Sequence, residues 1–291
     1  MSICGFSFGK DLITLDYPIV ESVRSVLPIC DRFVVAVGRS DDSTRDLVAS
    51  IDPRIEIVDT QWSANQIDGS VLAEEANKAL AAAQATGCDW GLYIQADEVV
   101  HEGDLSRIAR ACDHWQHDLD TKALLFRYLH FVLDYQTTDP WMYHKASRIV
   151  RLDDSCRIVG DACGPALKNY TGKVGNGDGY LDKNFLGTHV RAADARIFHY
   201  GWVKTRDQLE TKFEMVRELW WGTLNEDERR RREDSKFGRF IARYPLLKNY
   251  AGTHPAVMAD RIAKHLPYRP RRNRWLTPRF YAEILRHGFH G

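Results

Sequence analysis

The N-terminal third of the sequence alternates between two hydrophobic periods, and that rhythm constrains the fold more than any single residue. "SICGFSF" (2–8) reads as a strand, and "LDYPIVESVRSVLPI" (15–29) as a helix with apolar residues three and four apart. The valine-rich "RFVVAVG" (32–38) predicts a second strand, and "DSTRDLVASI" (42–51) a short helix that Asp42 or Ser43 can cap. "RIEIVDT" (54–60), the alanine-rich "SVLAEEANKALAAAQATG" (70–87) and "DWGLYIQ" (89–95) continue as strand, helix and strand. Such alternation predicts an α/β fold, a mostly parallel sheet flanked by helices on both faces. Ligands on these sheets bind beyond the carboxyl ends of the strands, where "GRSDD" (38–42) and "QADE" (95–98) both fall.

Further along, the pattern changes. "ALLFRYLHFVLDY" (123–135) and "ASRIVRL" (146–152) read as longer, antiparallel strands around the aromatic loop "TTDPWMYHK". The glycine-rich "GDACGPALKNYTGKVGNGDGY" (160–180) reads as loop. Beyond "ARIFHYGWVK" the chain turns helical, most clearly in "RDQLETKFEMVRELWWGTL" (206–224). Two units are expected, a domain over 1–204 and a mainly helical extension over 205–291.

A 44% apolar content among 291 residues suffices for one large core. Forty basic residues balance forty acidic ones, and no nucleic-acid motif accompanies them, so a nucleic-acid partner is not expected. Basic residues do concentrate late, in "RRRRED", "KFGRFIAR" and "RPRRNRW", among Trp220, Trp221, Tyr244, Tyr250, Trp275, Phe280 and Tyr281. That mixture suits peripheral contact with a membrane surface; packing of the extension onto the main domain explains the aromatics equally well. The six cysteines have no CxxC spacing, and no apolar run reaches membrane-spanning length. With no signal-peptide pattern at the start, a cytoplasmic protein with reduced thiols is expected.

Three segments together resemble the family 2 type of glycosyltransferase with its GT-A fold. "FVVAVGRSDDSTRDLV" is similar to the family's second strand, acidic turn and helix. "VLAEEANKALAAAQATGCDWGLYIQADEVV" is similar to its asparagine-bearing helix, here with Asn77, and to the strand ending in a D-x-D motif. "RIFHYGWVK" is similar to the histidine-bearing segment beyond the acceptor region. The resemblance covers roughly residues 1–205 and rests on the order and spacing of all three.

It implies transfer of a sugar from a nucleotide-sugar donor to a glycan or lipid-linked glycan in surface polysaccharide assembly. It also implies a divalent cation, Mn or Mg, on the leaving diphosphate. Asp97 is the expected metal ligand. Gln95 replaces the motif's first aspartate and is left to offer a neutral oxygen or to bind a ribose hydroxyl. His199 is the expected further ligand, with His189 as competitor and a satisfied buried histidine as the plain alternative. Arg39, Ser40 and Asp42 are expected near the nucleotide, although "SDDST" also makes an ordinary helix cap. Val37 and Gly38 stand where the family carries a base-reading aspartate. For an inverting transfer, Asp161 in "CRIVGDACG" is the expected base, with Asp153 and Asp154 as alternatives. Arg148 can orient an acceptor or a diphosphate, or form a salt bridge. Two other classes stay open on the sequence, a sugar nucleotidyltransferase and a non-catalytic relative.

Overall fold

A computed structural model describes residues 1–63, 69–171, 180–182, 186–221 and 247–264, with 227, 281, 282 and 285 besides. The basic runs of the extension, Tyr244, Trp275 and Phe280 lie outside the described residues, as do the side chains of Trp220 and Trp221.

The expected alternation forms. Strands β1 (Ile3–Gly9), β2 (Arg32–Gly38), β3 (Ile55–Thr60) and β4 (Trp90–Tyr93) lie parallel in the order β3-β2-β1-β4. Each residue of β1 is buried, which is why the strand reads as continuously apolar rather than alternating. Helices α1 (Ile19–Val26) and α2 (Thr44–Ala49) cover one face, where Ile19, Val23 and Val48 meet Phe33, Val35 and Val37. Helix α3 (Ser70–Ala85) covers the other, its Ala73, Ala76, Ala79 and Ala83 packing near Cys4, Phe6, Val34 and Ala36. Alanines on that stripe let the helix approach the sheet closely at little side-chain entropy cost.

Beyond β4 the sheet turns mixed. β8 (Lys145–Arg151) runs antiparallel to β4 and to β6 (Ala123–Val132), as the middle segments predict. β11 (Val190–Trp202) joins β6 in parallel register. Two strand features were not foreseen. β5 (Glu98–Val100) follows "QADE" and pairs antiparallel with β11. The next helix, α4 (Leu105–His114), opens through a 3-10 turn whose amide at Gly103 is accepted by His101, not by the carboxylates of "QADE". Part of the glycine-rich stretch is a strand: β10 (Gly164–Leu167) forms a hairpin with β9 (Cys156–Val159).

In the extension, helix α5 (Arg206–Trp221) buries Leu209 against Val132, Leu133 and Leu247. Residues Lys248 and Asn249 pair with β7 (Thr137–Thr138) at the sheet edge. Met258 is fully buried beside Phe131, Phe198 and Tyr200, and Tyr250 packs against them. A short helix, Ala259–Lys264, sends Arg261 to Asp16 and Glu21 in the β1–α1 region. The described part of the extension therefore packs against β6, β11 and the β1–α1 region in apolar clusters distinct from those on the two faces of the parallel strands. Among the described residues no helix is long and apolar enough to cross a membrane.

Candidate active site

Sheet order decides what meets at the carboxyl end of β4. Asp97 lies in the turn between β4 and β5, and its carbonyl accepts the Tyr200 amide at 2.8 Å. Because β11 runs between β5 and β6, His199 sits in register with Glu98 on one side and His130 on the other. Its Nε2 is 3.5 Å from Asp97 Oδ2, and both residues are buried. Gly201 makes the pair possible: a Cβ there would stand 2.2 Å from Asp97 Oδ2 and 3.0 Å from His199 Nε2.

The imidazole orientations are chained. His130 Nε2 is 2.7 Å from the Tyr143 carbonyl, which can only accept, so Nε2 carries the proton. Burial and the adjacent His199 hold the His130 pKa well below the ordinary range, so this ring is neutral and its Nδ1 is an acceptor. The facing His199 Nδ1, 3.2 Å away, must then donate. A neutral His199 consequently turns the lone pair of Nε2 toward the Asp97 carboxylate.

Two lysines complete the cluster. Lys212 on α5 reaches within 3.8 Å of Asp97 Oδ2 and donates to the Gly201 carbonyl at 2.7 Å. Lys204, also buried, donates to the Leu15 and Asp16 carbonyls at 2.5 and 3.1 Å. Both ammoniums lie over the Tyr17 ring, and Lys212 lies over Trp202 as well. Burial alone would raise the Asp97 pKa; a protonated His199, whose Nε2–H would then donate to it, together with Lys212 and Lys204 outweighs burial and holds the carboxylate ionised.

A divalent cation fits this arrangement. Ligands about 2.1 Å from one ion at adjacent positions stand roughly 3.0–3.5 Å apart, the spacing of Asp97 Oδ2 and His199 Nε2. A ligating histidine ordinarily donates its other N–H to a fixed acceptor, and His130 is that acceptor here. Among the described residues no group of three or more His, Cys, Asp or Glu gathers around one point.

The other expected site residues divide between this edge and the β2 edge. Gln95 donates through Nε2 to the Tyr93 hydroxyl (3.1 Å) and the Ala162 carbonyl (2.9 Å), tying the end of β4 to the β9–β10 turn. Asp161, half-buried, is the neighbour of Ala162 in that turn, and both it and Asp97 act electrostatically on the half-exposed Tyr143. Asp153 and Asp154 instead follow β8 at the opposite end of the strands, near the start of β4, paired with Lys122 and Lys168. His189 lies at the start of β11, far along the strand from His199. Arg148 forms a salt bridge with Glu98, which also accepts from the Tyr128 hydroxyl and the Gln95 amide.

At the end of β2, Ser40 accepts the Asp11 amide at 2.9 Å. Asp42 accepts from Thr14 and Thr44; burial opposes its ionisation, and these hydrogen bonds overcome it and lower its pKa. Both side chains thus hold the β1–α1 loop against the β2–α2 turn. Arg39 is exposed beside them. Gly38, at the family's base-reading position, leaves room for the Trp62 indole, whose Nε1 is buried without a partner among the described residues, as is Thr60 Oγ1. Reading the sequence missed His130, Lys204, Lys212 and Gly201. A polar residue inside the apolar run "RYLHFV" was the only available signal for His130.

No protein-family model matches the chain, and no curated protein matches it. Among solved structures it is similar to S. aureus TarS 1–349 (13% identity, TM-score 0.43) and to the same protein in complex with UDP (13%, 0.44), each covering 84% of this chain and 72% of that one. It is also similar to glucosyl-3-phosphoglycerate synthase from Mycobacterium tuberculosis in complex with Mn2+, UDP-glucose and phosphoglyceric acid, at 15% identity and a TM-score of 0.31 over 44% of each chain.

Proposed function

We propose that the chain is a glycosyltransferase that moves a sugar, with inversion, from a nucleoside-diphosphate donor to a hydroxyl of a glycan or lipid-linked glycan. The observation that carries this reading is the facing pair of Asp97 Oδ2 and His199 Nε2 at the carboxyl end of β4. A divalent cation held by that pair would neutralise charge developing on the departing diphosphate. His130 and the Tyr143 carbonyl keep His199 in the tautomer that presents Nε2. Asp161, on a turn braced by Gln95, is the base assigned to the acceptor hydroxyl, accepting its proton as the oxygen attacks the anomeric carbon. On the nucleotide side, the exposed Arg39 stands at the end of β2, where it can meet a phosphate or base. Ser40 and Asp42 act by shaping the loop beneath it.

Thermal shift with UDP, GDP and CDP, each with and without Mn2+, tests the reading on wild type and Asp97→Ala. A ligand at a hundredfold its dissociation constant adds about 2.7 kcal/mol of stability. One diphosphate should produce a Mn2+-dependent shift that disappears in the variant. Silence with every nucleotide would overturn the proposal.

A further inference from the structure

Lys212 is a charged group in this cluster whose chemistry the transferase reading does not use. It belongs to α5, in the extension, yet its ammonium ends 3.8 Å from Asp97 Oδ2. That distance exceeds a hydrogen bond, so the contact is electrostatic only. The Gly201 carbonyl takes one N–H at 2.7 Å, and the Tyr17 hydroxyl lies within reach of another. Holding a lysine here is costly. The side chain is 6% exposed, and its flexible stem is ordered between the Tyr17 and Trp202 rings, 5.0 and 4.4 Å from the nitrogen. A second buried lysine, Lys204, shares the Tyr17 ring and is itself bonded to backbone carbonyls. A buried ammonium beside a fitted cation site favours an anion with several charges.

We propose that Lys212 is a direct ligand of the donor's diphosphate, which makes helix α5 of the extension one wall of the donor site. This rests on the reading of Asp97 and His199 given above. A phosphate oxygen sharing an ion with Asp97 would lie within about 4 Å of that carboxylate, inside the reach of the Lys212 ammonium. Lys204 acts one step back: its bonds to the Leu15 and Asp16 carbonyls fix the loop that carries Tyr17.

The competing role, a lysine that only orients Asp97, predicts a different sign. A phosphate ligand repels a bare metal ion and attracts a diphosphate; an orienting residue supports both. Mn2+ alone, followed by electron paramagnetic resonance, and then UDP, GDP and CDP at saturating Mn2+, followed by calorimetry, are titrated into full-length wild type, Lys212→Met, Lys212→Gln and Lys212→Arg. Lys212→Gln retains a donor for the Gly201 carbonyl and serves if the methionine variant does not fold. Both neutral variants should bind Mn2+ as tightly as wild type or tighter, and the diphosphate about ten- to hundredfold more weakly. Lys212→Arg should recover most of the diphosphate affinity. Unchanged diphosphate affinity in the neutral variants overturns the inference and leaves the transferase reading standing. Parallel loss of Mn2+ and diphosphate binding also overturns it, in favour of the orienting role. A wild type that binds none of the three nucleotides removes both.

Discussion

One guanidinium takes both carboxylate oxygens of Glu98: Arg148 donates from Nε to Oε2 and from Nη2 to Oε1, 2.8 Å each, with neither side chain exposed. Tyr128 adds its hydroxyl at 2.8 Å, and the Arg148 Nη1 reaches on to the Cys163 carbonyl in the β9–β10 turn. The pair therefore joins β5, β6 and β8 to the turn that carries Asp161. Removing one partner leaves a buried charge alone, which typically costs 3–5 kcal/mol, whereas replacing both costs far less. Arg148→Met should lower the urea-unfolding free energy by about that amount, and Arg148→Met combined with Glu98→Gln should restore much of it. A single-variant loss under about 1 kcal/mol would show the pair to be dispensable.

Gly201→Ala tests how tightly the Asp97–His199 pair is confined. The new methyl would stand 2.2 Å from Asp97 Oδ2, so the carboxylate must move. Overpacking of this kind costs about 1–3 kcal/mol of stability. The larger effect should fall on ligand binding, with Mn2+ affinity reduced more than tenfold while circular dichroism still reports a folded chain. Wild-type Mn2+ affinity in the alanine variant would mean that the ion does not use this oxygen.

Much of the fold was legible because the responsible residues are neighbours in sequence. "RFVVAVG" and "SICGFSF" announce buried parallel strands, and "QADE" announces a polar strand end, from local pattern alone. The site was only half legible. Asp97 and His199 are separated by a hundred residues, and their meeting depends on β11 entering between β5 and β6. That register also delivers His130, which no local pattern marks as a partner. Lys212 carries no signal at all, since a lysine on a surface-like helix reads as solvated until the helix is seen to pack over Trp202. The β9–β10 hairpin was hidden by the Gly164–Pro165 dipeptide, which reads as a turn but can serve a two-stranded ribbon whose edge needs fewer donors.

Asn77, singled out in the alanine-rich helix, binds one residue of β9 from both sides. Its Oδ1 accepts the Ile158 amide and its Nδ2 donates to the Ile158 carbonyl, each at 2.8 Å. Asn77→Ala leaves both backbone groups of Ile158 unpaired on the helix side, at a cost of about 1–3 kcal/mol. Hydrogen exchange should show it locally, with the Ile158 amide and the turn bearing Asp161 losing protection while β1 and β2 keep theirs. Uniform protection across the hairpin would refute a pinning role.

Lys204 gives the protein a pH dependence whose sign can be worked out. Burial pushes its pKa from the ordinary 10.5 down to about 7, with the Lys212 ammonium adding to the fall and Asp16 and Asp97 opposing it; Arg261 also lies near enough to lower it. Between those values the unfolded chain holds a proton that the folded chain has lost, so stability rises with pH, by at most about 1.4 kcal/mol per unit. Below about pH 7 both states are protonated, the slope vanishes, and the penalty for the buried charge is fully present. Above about pH 9 buried thiols such as Cys4, pushed up to about 12, act in the opposite direction, since the unfolded chain then sheds protons that the folded chain keeps. The informative window is therefore about pH 7 to 8.5. Urea unfolding across it should show wild type gaining stability relative to Lys204→Met, with the two curves converging on a constant difference toward pH 6. Parallel curves throughout would mean that Lys204 keeps its proton in the fold, held by the Leu15 and Asp16 carbonyls.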